Sequence, residues 1–317
     1  MRITQLQLDH VRKNVQMFNS GPHPSDALLT TMPLLGIQAP PDTSLTHYGF
    51  WYPCILGSQH RDRRDVKTVG LTPSYARLLI DASTSARITG QVPETHRLDL
   101  LEPGLFNQIF QRPACPKDGY FLRFDTASVK DTVNAHRGGV KSPIEVIERL
   151  VTSQRAVKAI DQCLVETRPI SIYFVPFDRT FDPRNDQRRW TERGRHRPSH
   201  EFMSFLLQRV QHLHHHILDY AKMWDPEIAQ GLRDQGFVFH VRYLAGIDVQ
   251  LIGLTEFGIA SRCGSALFHW LTDAELLYGG RDEVEMRVVA RKTNRERVRA
   301  WKWASYLGSL FRAGTYE

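Results

Sequence analysis

Residues 237–258 read FVFHVRYLAGIDVQLIGLTEFG. Two runs rich in β-branched and aromatic residues, FVFHVRYL and DVQLIGL, flank Ala245-Gly246-Ile247, a pattern that predicts two neighbouring antiparallel strands. The second strand runs into a Phe-Gly turn and then a loop of small residues that ends at Phe268-His269-Trp270. Many enzymes place metal ligands at strand ends of this kind, and here the usual ligands are missing.

Outside this hairpin, the chain alternates helix and strand patterns. Ser142-Pro143-Ile144-Glu145 is a capping box with proline at the first helical position, which predicts a helix to about Leu164. Residues 170–175 alternate and predict a strand, and the apolar spacing over 202–224 predicts a long amphipathic helix. EVEMRVV, from Glu283, predicts another strand. The sequence therefore predicts a mixed α/β protein.

The length and composition limit the classes to which the protein can belong. At 317 residues, of which 41% are hydrophobic, the chain can bury one large core or two joined ones. No stretch approaches the roughly 20 apolar residues of a membrane span, and the first residues lack a signal-peptide core. We therefore expect a cytoplasmic protein with no membrane partner. The four cysteines are far apart in the sequence, which predicts neither a zinc site nor a disulfide framework.

Positive charge is concentrated in two segments. The net charge is +7, and residues 178–198 carry seven arginines around Trp190 without periodicity, which predicts an exposed loop. Residues 294–311 predict a basic helix capped by Asn294. Cations interleaved with aromatic residues favour a nucleic acid partner, with a solvated basic surface as the alternative. The candidate contacts are Arg188, Arg189, Arg193, Arg295, Arg299 and Lys302.

The cluster HLHHH, residues 212–216, lies within the predicted long helix. His212 and His216 are four residues apart on one helix face, a spacing that can bind zinc. No carboxylate accompanies them as in the HExxH motif, so we predict a helix with partly exposed histidines rather than a metal site.

Five stretches, taken in order, resemble one protein family. They are Trp51-Tyr52-Pro53, VKTVGL from Val66, SYARLLID from Ser74, FLRFDTASVKD from Phe121 and FVFH…LIGLTEFG from Phe237. Together they resemble the cell division cycle 123 proteins, assembly chaperones for translation initiation factor 2. The resemblance implies an ATP-grasp-like fold, in which mixed or antiparallel sheets and flanking helices form two lobes with a cleft between them.

The resemblance also divides the chain into an N-terminal helical extension, a central domain, and a C-terminal strand with a basic helix. These regions are 1–47, 48–279 and 280–317. Within the central domain, the first lobe is 48–175 and the second lobe is 199–279. The basic loop between the two lobes is 178–198.

The family's metal ligands are not retained. The positions that match them are His240, Gly253 and Thr255, and Glu256 replaces a proline. Magnesium prefers hard oxygen ligands in an octahedral array, so these residues predict no metal site and no ATP chemistry. Asp248 and Glu256 leave one alternative open, a metal site shifted along the strand.

The cations of the family's site are retained. Where the family directs a lysine at the nucleotide phosphates this chain has Arg123, and Lys130-Asp131 matches a basic and acidic pair. Loss of metal ligands beside retained positive charge favours a phosphate-bearing substrate other than ATP. The chain resembles the arginine-containing cyclodipeptide synthases of fungi, which are related to this family. They take two aminoacyl-tRNAs, one charged with arginine, and release a diketopiperazine without a cofactor, which makes tRNA the expected partner.

That resemblance implies roles for the site residues. His240 is the candidate base, because imidazole titrates near working pH. Glu256 has two alternative roles, as the base or, with Asp125, as a clamp on the substrate guanidinium. Arg123 and Lys130 would hold the tRNA acceptor end or an oxyanion. Further candidates are Asp248 and Thr255 for substrate contacts, and Ser261 and Ser265 as acyl acceptors in covalent catalysis.

Two other functions fit the same residues. A family member without catalysis could still bind a translation initiation factor subunit as an assembly chaperone, and an ATP-grasp ligase could have relocated its metal ligands. Stabilisation by magnesium-ATP would favour one of these two, whereas tRNA binding with no response to ATP would favour the synthase.

Overall fold

A computed structural model describes residues 2–7, 42–111, 115–132, 138–178, 200–244, 248–257, 273–277, 285–290 and 303–305. The chain divides into a continuous unit, His47–Asp182, and a discontinuous unit, Met1–Thr46 with Pro183–Glu317. Both contain helices and small sheets, which confirms the predicted mixture of α and β structure. No helix in the described ranges has both the length and the apolar character needed to cross a membrane.

The described residues fold into short strands and into α-helices of up to 25 residues. The strands are β1 Arg2–Gln7, β2 Lys67–Leu71, β3 Tyr120–Arg123, β4 Ile170–Pro176, β5 Phe237–Leu244, β6 Asp248–Glu256, β7 Glu285–Ala290 and β8 Trp303–Ser305. The α-helices are α1 Tyr48–Ser58, α2 Pro73–Thr89, α3 Glu94–Leu101, α4 Pro143–Thr152, α5 Gln154–Val165, α6 His200–Trp224, α7 Pro226–Gln235 and α8 Ala274–Leu277. Short 3-10 helices are Thr43–Thr46, Arg63–Asp65 and Asn107–Phe110.

The sheet of the continuous unit has the order β2-β4-β3, and both strand pairs are antiparallel. Alternate residues of each strand face a core that α2, α4 and α5 complete. Directly paired residues share a face of the sheet. The face away from the core therefore carries one row of paired residues across the three strands, Thr68, Tyr173 and Arg123. The strand β3 thus places Arg123 on the face away from the core.

The helix predicted from the capping box onwards is two helices, α4 and α5. Its start is confirmed, since the Ser142 hydroxyl accepts a hydrogen bond from the Glu145 amide at 3.4 Å. The break lies at Ser153, which has an extended backbone and accepts a hydrogen bond from the Ala156 amide at 3.0 Å. The Ser153 hydroxyl donates in turn to the Asp131 carboxylate. A contact from outside the helix therefore makes Ser153 the cap of a new one.

The discontinuous unit contains the predicted hairpin, formed by the antiparallel strands β5 and β6. Helix α6 packs on β6 and on α7. A separate sheet has the order β1-β7-β8, and β7 confirms the strand predicted from Glu283.

Two predictions for the chain ends are wrong in the described residues. The extension over 1–47 is predicted to be helical, but Arg2–Gln7 forms β1 and pairs in parallel with β7. The basic helix predicted over 294–311 does not continue through Trp303–Ser305, which forms β8 and also pairs with β7. Both strands take their hydrogen bonds from a partner outside the segment, and a local helical pattern contains no information about that partner.

The histidine cluster lies in α6, and its members differ in exposure. The exposed members are His212, His215 and His216. His214 is only 5% exposed, and its ring stacks on Phe237 with 5.2 Å between the ring centroids. Burial lowers the pKa of His214 to about 4, with further lowering by His215 and Arg233. The cluster therefore contributes one neutral ring to the packing of α6 on the hairpin.

We expect this ring to make the discontinuous unit less stable in acid. The folded-state pKa of His214 lies below its unfolded value of about 6.5, so its contribution is complete above pH 6.5 and is lost as the pH falls to about 4. The loss is about 3 kcal/mol. Urea unfolding at about pH 7.5 and about pH 4.5 measures it. His214→Phe keeps the ring packing and should remove this part of the pH dependence; an equal loss in both proteins would contradict the assignment.

Candidate functional site

The hairpin of β5 and β6 brings together His240, Gly253 and Thr255, the positions where the resemblance implies lost metal ligands. His240 pairs directly with Gly253, and Val238 pairs with Thr255. The pairing shifts by one residue after His240, because Ile252 is an extra residue on β6. As paired residues share a face, Val238, His240, Gly253 and Thr255 all belong to one face of the hairpin.

An imidazole and a hydroxyl are neighbours on this face. The Nε2 atom of His240 lies 3.4 Å from the Oγ1 atom of Thr255, at the long end of hydrogen-bond distances. His240 is exposed and Thr255 is partly buried. Because the His240 side chain is exposed, the imidazole is accessible to a ligand that approaches this face.

Glu256 lies on the opposite face of the hairpin. It pairs with Phe237, shares a face with Phe239 and Leu254, and is 8% exposed. Within the described residues, its carboxylate makes no hydrogen bond or ion pair. A carboxylate in apolar surroundings costs free energy unless a cation pairs with it. This placement separates Glu256 from His240, so the carboxylate does not act as a second base beside the imidazole.

Asp248 does not join the other candidates. It is the first residue of the nine-residue strand β6, and Glu256 is the last. At roughly 3.3 Å per residue, about 25 Å separates them. The two carboxylates are therefore too far apart to bind one metal ion together. Among the described residues, no three His, Cys, Asp or Glu side chains are close enough to hold a metal ion.

In the continuous unit, Asp125 caps the start of α1. The turn after β3 is closed by a hydrogen bond from the Phe124 amide to the Ala127 carbonyl at 2.7 Å. The Asp125 carboxylate then accepts from the Gly49 amide at 2.8 Å and from the Tyr173 hydroxyl at 3.1 Å. A carboxylate at a helix N-terminus satisfies free amides and the helix dipole. Asp125 therefore has a structural role, whatever else it binds.

The close approach at this cap depends on a residue without a side chain. A Cβ atom on Gly49 would collide with the Tyr173 hydroxyl and with the Asp125 carboxylate. Burial raises the pKa of Tyr173, and the neighbouring Asp125 carboxylate raises it further, so the phenol remains a hydrogen-bond donor. No local pattern in the sequence indicates this contact, although the alternation of β4 places Tyr173 on the face away from the core.

Arg123 is held over an aromatic ring. Its guanidinium carbon lies 4.3 Å from the centroid of the Tyr48 ring, a cation–π contact. Burial raises the pKa of Tyr48 to about 12, and the Arg123 charge partly opposes that rise. Tyr48 also contacts Tyr52 and Tyr173, with ring centroids 6.1 and 5.2 Å apart. The tyrosine cluster thus holds the Arg123 guanidinium in place. The sequence predicts this cation but does not indicate that Tyr48 contacts it.

Lys130 and Asp131, the matched basic and acidic pair, have different surroundings. Lys130 is exposed. Asp131 accepts from the Ser153 hydroxyl and from the Arg155 amide, the latter at 3.1 Å, and so fixes the start of α5. The acidic member of the pair is structural, and the basic member is accessible to solvent.

The structure brings the predicted site residues together in two groups. His240, Gly253 and Thr255 share one hairpin face, and Arg123 and Asp125 share one strand-turn of the continuous unit. The predicted clamp of Glu256 with Asp125 has one member in each unit. Eight candidates lie outside the described residues: Arg188, Arg189, Arg193, Ser261, Ser265, Arg295, Arg299 and Lys302.

Comparisons with known proteins assign neither a family nor a function to this chain. No protein-family model matches the chain, and neither the curated proteins nor the solved structures contain a match.

Proposed function

We propose that the chain is a tRNA-dependent cyclodipeptide synthase with an ATP-grasp-like fold, which joins arginine from arginyl-tRNA to a second aminoacyl group. One observation supports this proposal most directly. His240 and Thr255 lie together on an accessible hairpin face, 3.4 Å apart, where the resembled family has magnesium ligands. An imidazole there suits proton transfer better than it suits binding of a hard cation.

The proposed reaction needs no ATP, because an aminoacyl ester is already activated. The α-amine of one aminoacyl-tRNA attacks the ester carbonyl of the other, an amide bond forms, and the ester C–O bond breaks to release the first tRNA. The amine of the resulting dipeptidyl-tRNA then attacks its own ester, closes the six-membered ring and releases the second tRNA. In each step, His240 takes the proton of the attacking amine and returns it to the departing ribose oxygen. The Thr255 hydroxyl orients the His240 imidazole for these proton transfers.

The cations of the continuous unit are candidate contacts for tRNA. Arg123 is preorganised by its contact with the Tyr48 ring, and Lys130 is exposed. A guanidinium held by packing loses little entropy when it binds a phosphate or an oxyanion. The net charge of +7 favours the same class of partner.

We expect no binding of magnesium-ATP at near-physiological concentration. The face around His240 offers an imidazole and one neutral hydroxyl, and Asp248 is too distant to complete a metal site. Titration calorimetry with ATP and magnesium, against ATP alone, measures this. A stoichiometric, magnesium-dependent site would favour the ligase or the chaperone of an initiation factor subunit over the synthase.

The proposal itself is tested by product analysis. The purified protein is incubated with arginyl-tRNA and a mixture of other aminoacyl-tRNAs, without ATP, and small molecules are analysed by mass spectrometry. We expect a diketopiperazine that contains arginine and that does not form with deacylated tRNA. Absence of any such product, in a protein that binds magnesium-ATP or the initiation factor subunit, would overturn the proposal.

A further inference from the structure

A basic corner of the continuous unit follows helix α1. It consists of Arg63, Arg64 and Lys67, from the 3-10 helix Arg63–Asp65 and the first residue of β2. Arg63 is exposed, and the Arg64 side chain is 89% exposed. The Lys67 ammonium donates to the Arg64 carbonyl at 3.3 Å, which keeps the second and third cations together.

Two exposed acidic residues, Asp62 and Asp65, belong to the same segment, and within the described residues neither forms an ion pair with Arg63 or Lys67. Asp62 caps the 3-10 helix by accepting from the Arg64 amide at 2.8 Å, and its other oxygen lies 3.5 Å from the Arg64 Nε atom. An exposed ion pair of this kind contributes little free energy and yields readily to a stronger anion. Within the described residues, Arg63 forms no ion pair and Lys67 has no carboxylate partner.

Arg61, two residues before the corner, contacts the end of strand β4 and the residue that follows it by two positions. Its guanidinium forms an ion pair with Asp178 at 3.2 Å and donates to the Pro176 carbonyl at 3.4 Å. Asp178 is the first residue of the segment 178–198, which carries seven arginines, and Arg179 follows it directly in the chain. The ion pair thus places Asp178, the last described residue before those arginines, beside Arg61.

We propose that the basic corner binds backbone phosphates of tRNA. The surface suits a polyanion better than an acidic protein, because large apolar anchors form the centre of most protein interfaces. The exposed large hydrophobic residues of the described ranges are elsewhere, at Ile88, Leu98, Val165, Met223 and Trp224. Phosphate contacts of this type position the nucleic acid without reading its sequence. The choice of tRNA as the polyanion rests on the proposed function.

The test measures binding of deacylated tRNA by fluorescence anisotropy between about 50 and about 200 mM salt. The corner variant replaces Arg63, Arg64 and Lys67 by glutamine. The control variant removes the same charge from exposed positions of helices α2 and α5, by glutamine at Arg77, Arg87 and Lys158. For the corner variant we expect the salt slope to fall by about 2–3 units and the affinity to fall on the order of a hundredfold. The control should change the slope by less than about one unit, and circular dichroism verifies both folds.

This test distinguishes tRNA binding by the basic corner from the proposed catalysis. Equal losses in the two variants, or no loss in the corner variant, would overturn the corner as a tRNA site even if the cyclodipeptide still forms. Specific loss in the corner variant would support the site even if no cyclodipeptide is ever found. Salt-sensitive binding to polyglutamate with none to tRNA would overturn it in favour of an acidic protein.

Discussion

Replacing His240 by glutamine is expected to lower the rate of cyclodipeptide formation by a factor of about 10²–10⁴, the usual contribution of a general base. Glutamine keeps the polar character of the side chain and can still form a hydrogen bond with Thr255, but it cannot take up a proton from the attacking amine. Single-turnover experiments with preformed aminoacyl-tRNAs measure the rate, and anisotropy verifies that tRNA affinity is unchanged.

Thr255→Val provides the matched control for this prediction. It removes the hydroxyl that lies 3.4 Å from the imidazole and leaves the base in place. Loss of one hydrogen bond costs about 0.5–1.5 kcal/mol, so we expect a decrease of tenfold or less. The pH–rate profile adds a second readout, since the limb that reports the base should persist in Thr255→Val and vanish in His240→Gln. A parent rate in His240→Gln would assign the proton transfer to another group.

The hairpin is predictable from the sequence, and the assignment of residues to its faces is not. Alternating apolar residues and a short connection specify two antiparallel strands with local information alone. Strict alternation from Leu251 would place Thr255 on the buried face and Glu256 on the accessible one. The bulge at Ile252 reverses this order, so Glu256 is buried and Thr255 lies beside His240. A single extra residue thus decides which candidates share a site.

The remaining differences come from contacts between distant parts of the chain. Ser153 interrupts a good helical pattern because Asp131 binds its hydroxyl from another segment. The strand at Arg2–Gln7 exists through its pairing with Glu285–Ala290. The resemblance implies a substrate clamp at Asp125, but the fold uses its carboxylate to cap α1. Sequence patterns identify elements and charged groups, whereas the partner that a polar side chain selects depends on the tertiary structure.

Glu256 and Asp125 should therefore respond differently to loss of charge. Replacing Glu256 by glutamine is expected to reduce formation of the arginine-containing product by about tenfold to a hundredfold. A charge-assisted hydrogen bond to the guanidinium contributes about 1.5–3 kcal/mol, and the neutral amide cannot replace it. The measurement is a competition between arginyl-tRNA and a tRNA charged with a neutral amino acid, which reports the selectivity ratio rather than the overall rate.

Stability separates a binding role of Glu256 from a structural one. Its carboxylate is buried and makes no ion pair within the described residues, so glutamine should leave the free energy of unfolding unchanged or raise it. Asp125→Asn is the contrast, because it weakens the bonds from Gly49 and Tyr173 and should lower stability by about 1–2 kcal/mol without changing the selectivity ratio. Clear destabilisation by Glu256→Gln with unchanged selectivity would mean that the carboxylate supports the fold, and the guanidinium would need another partner.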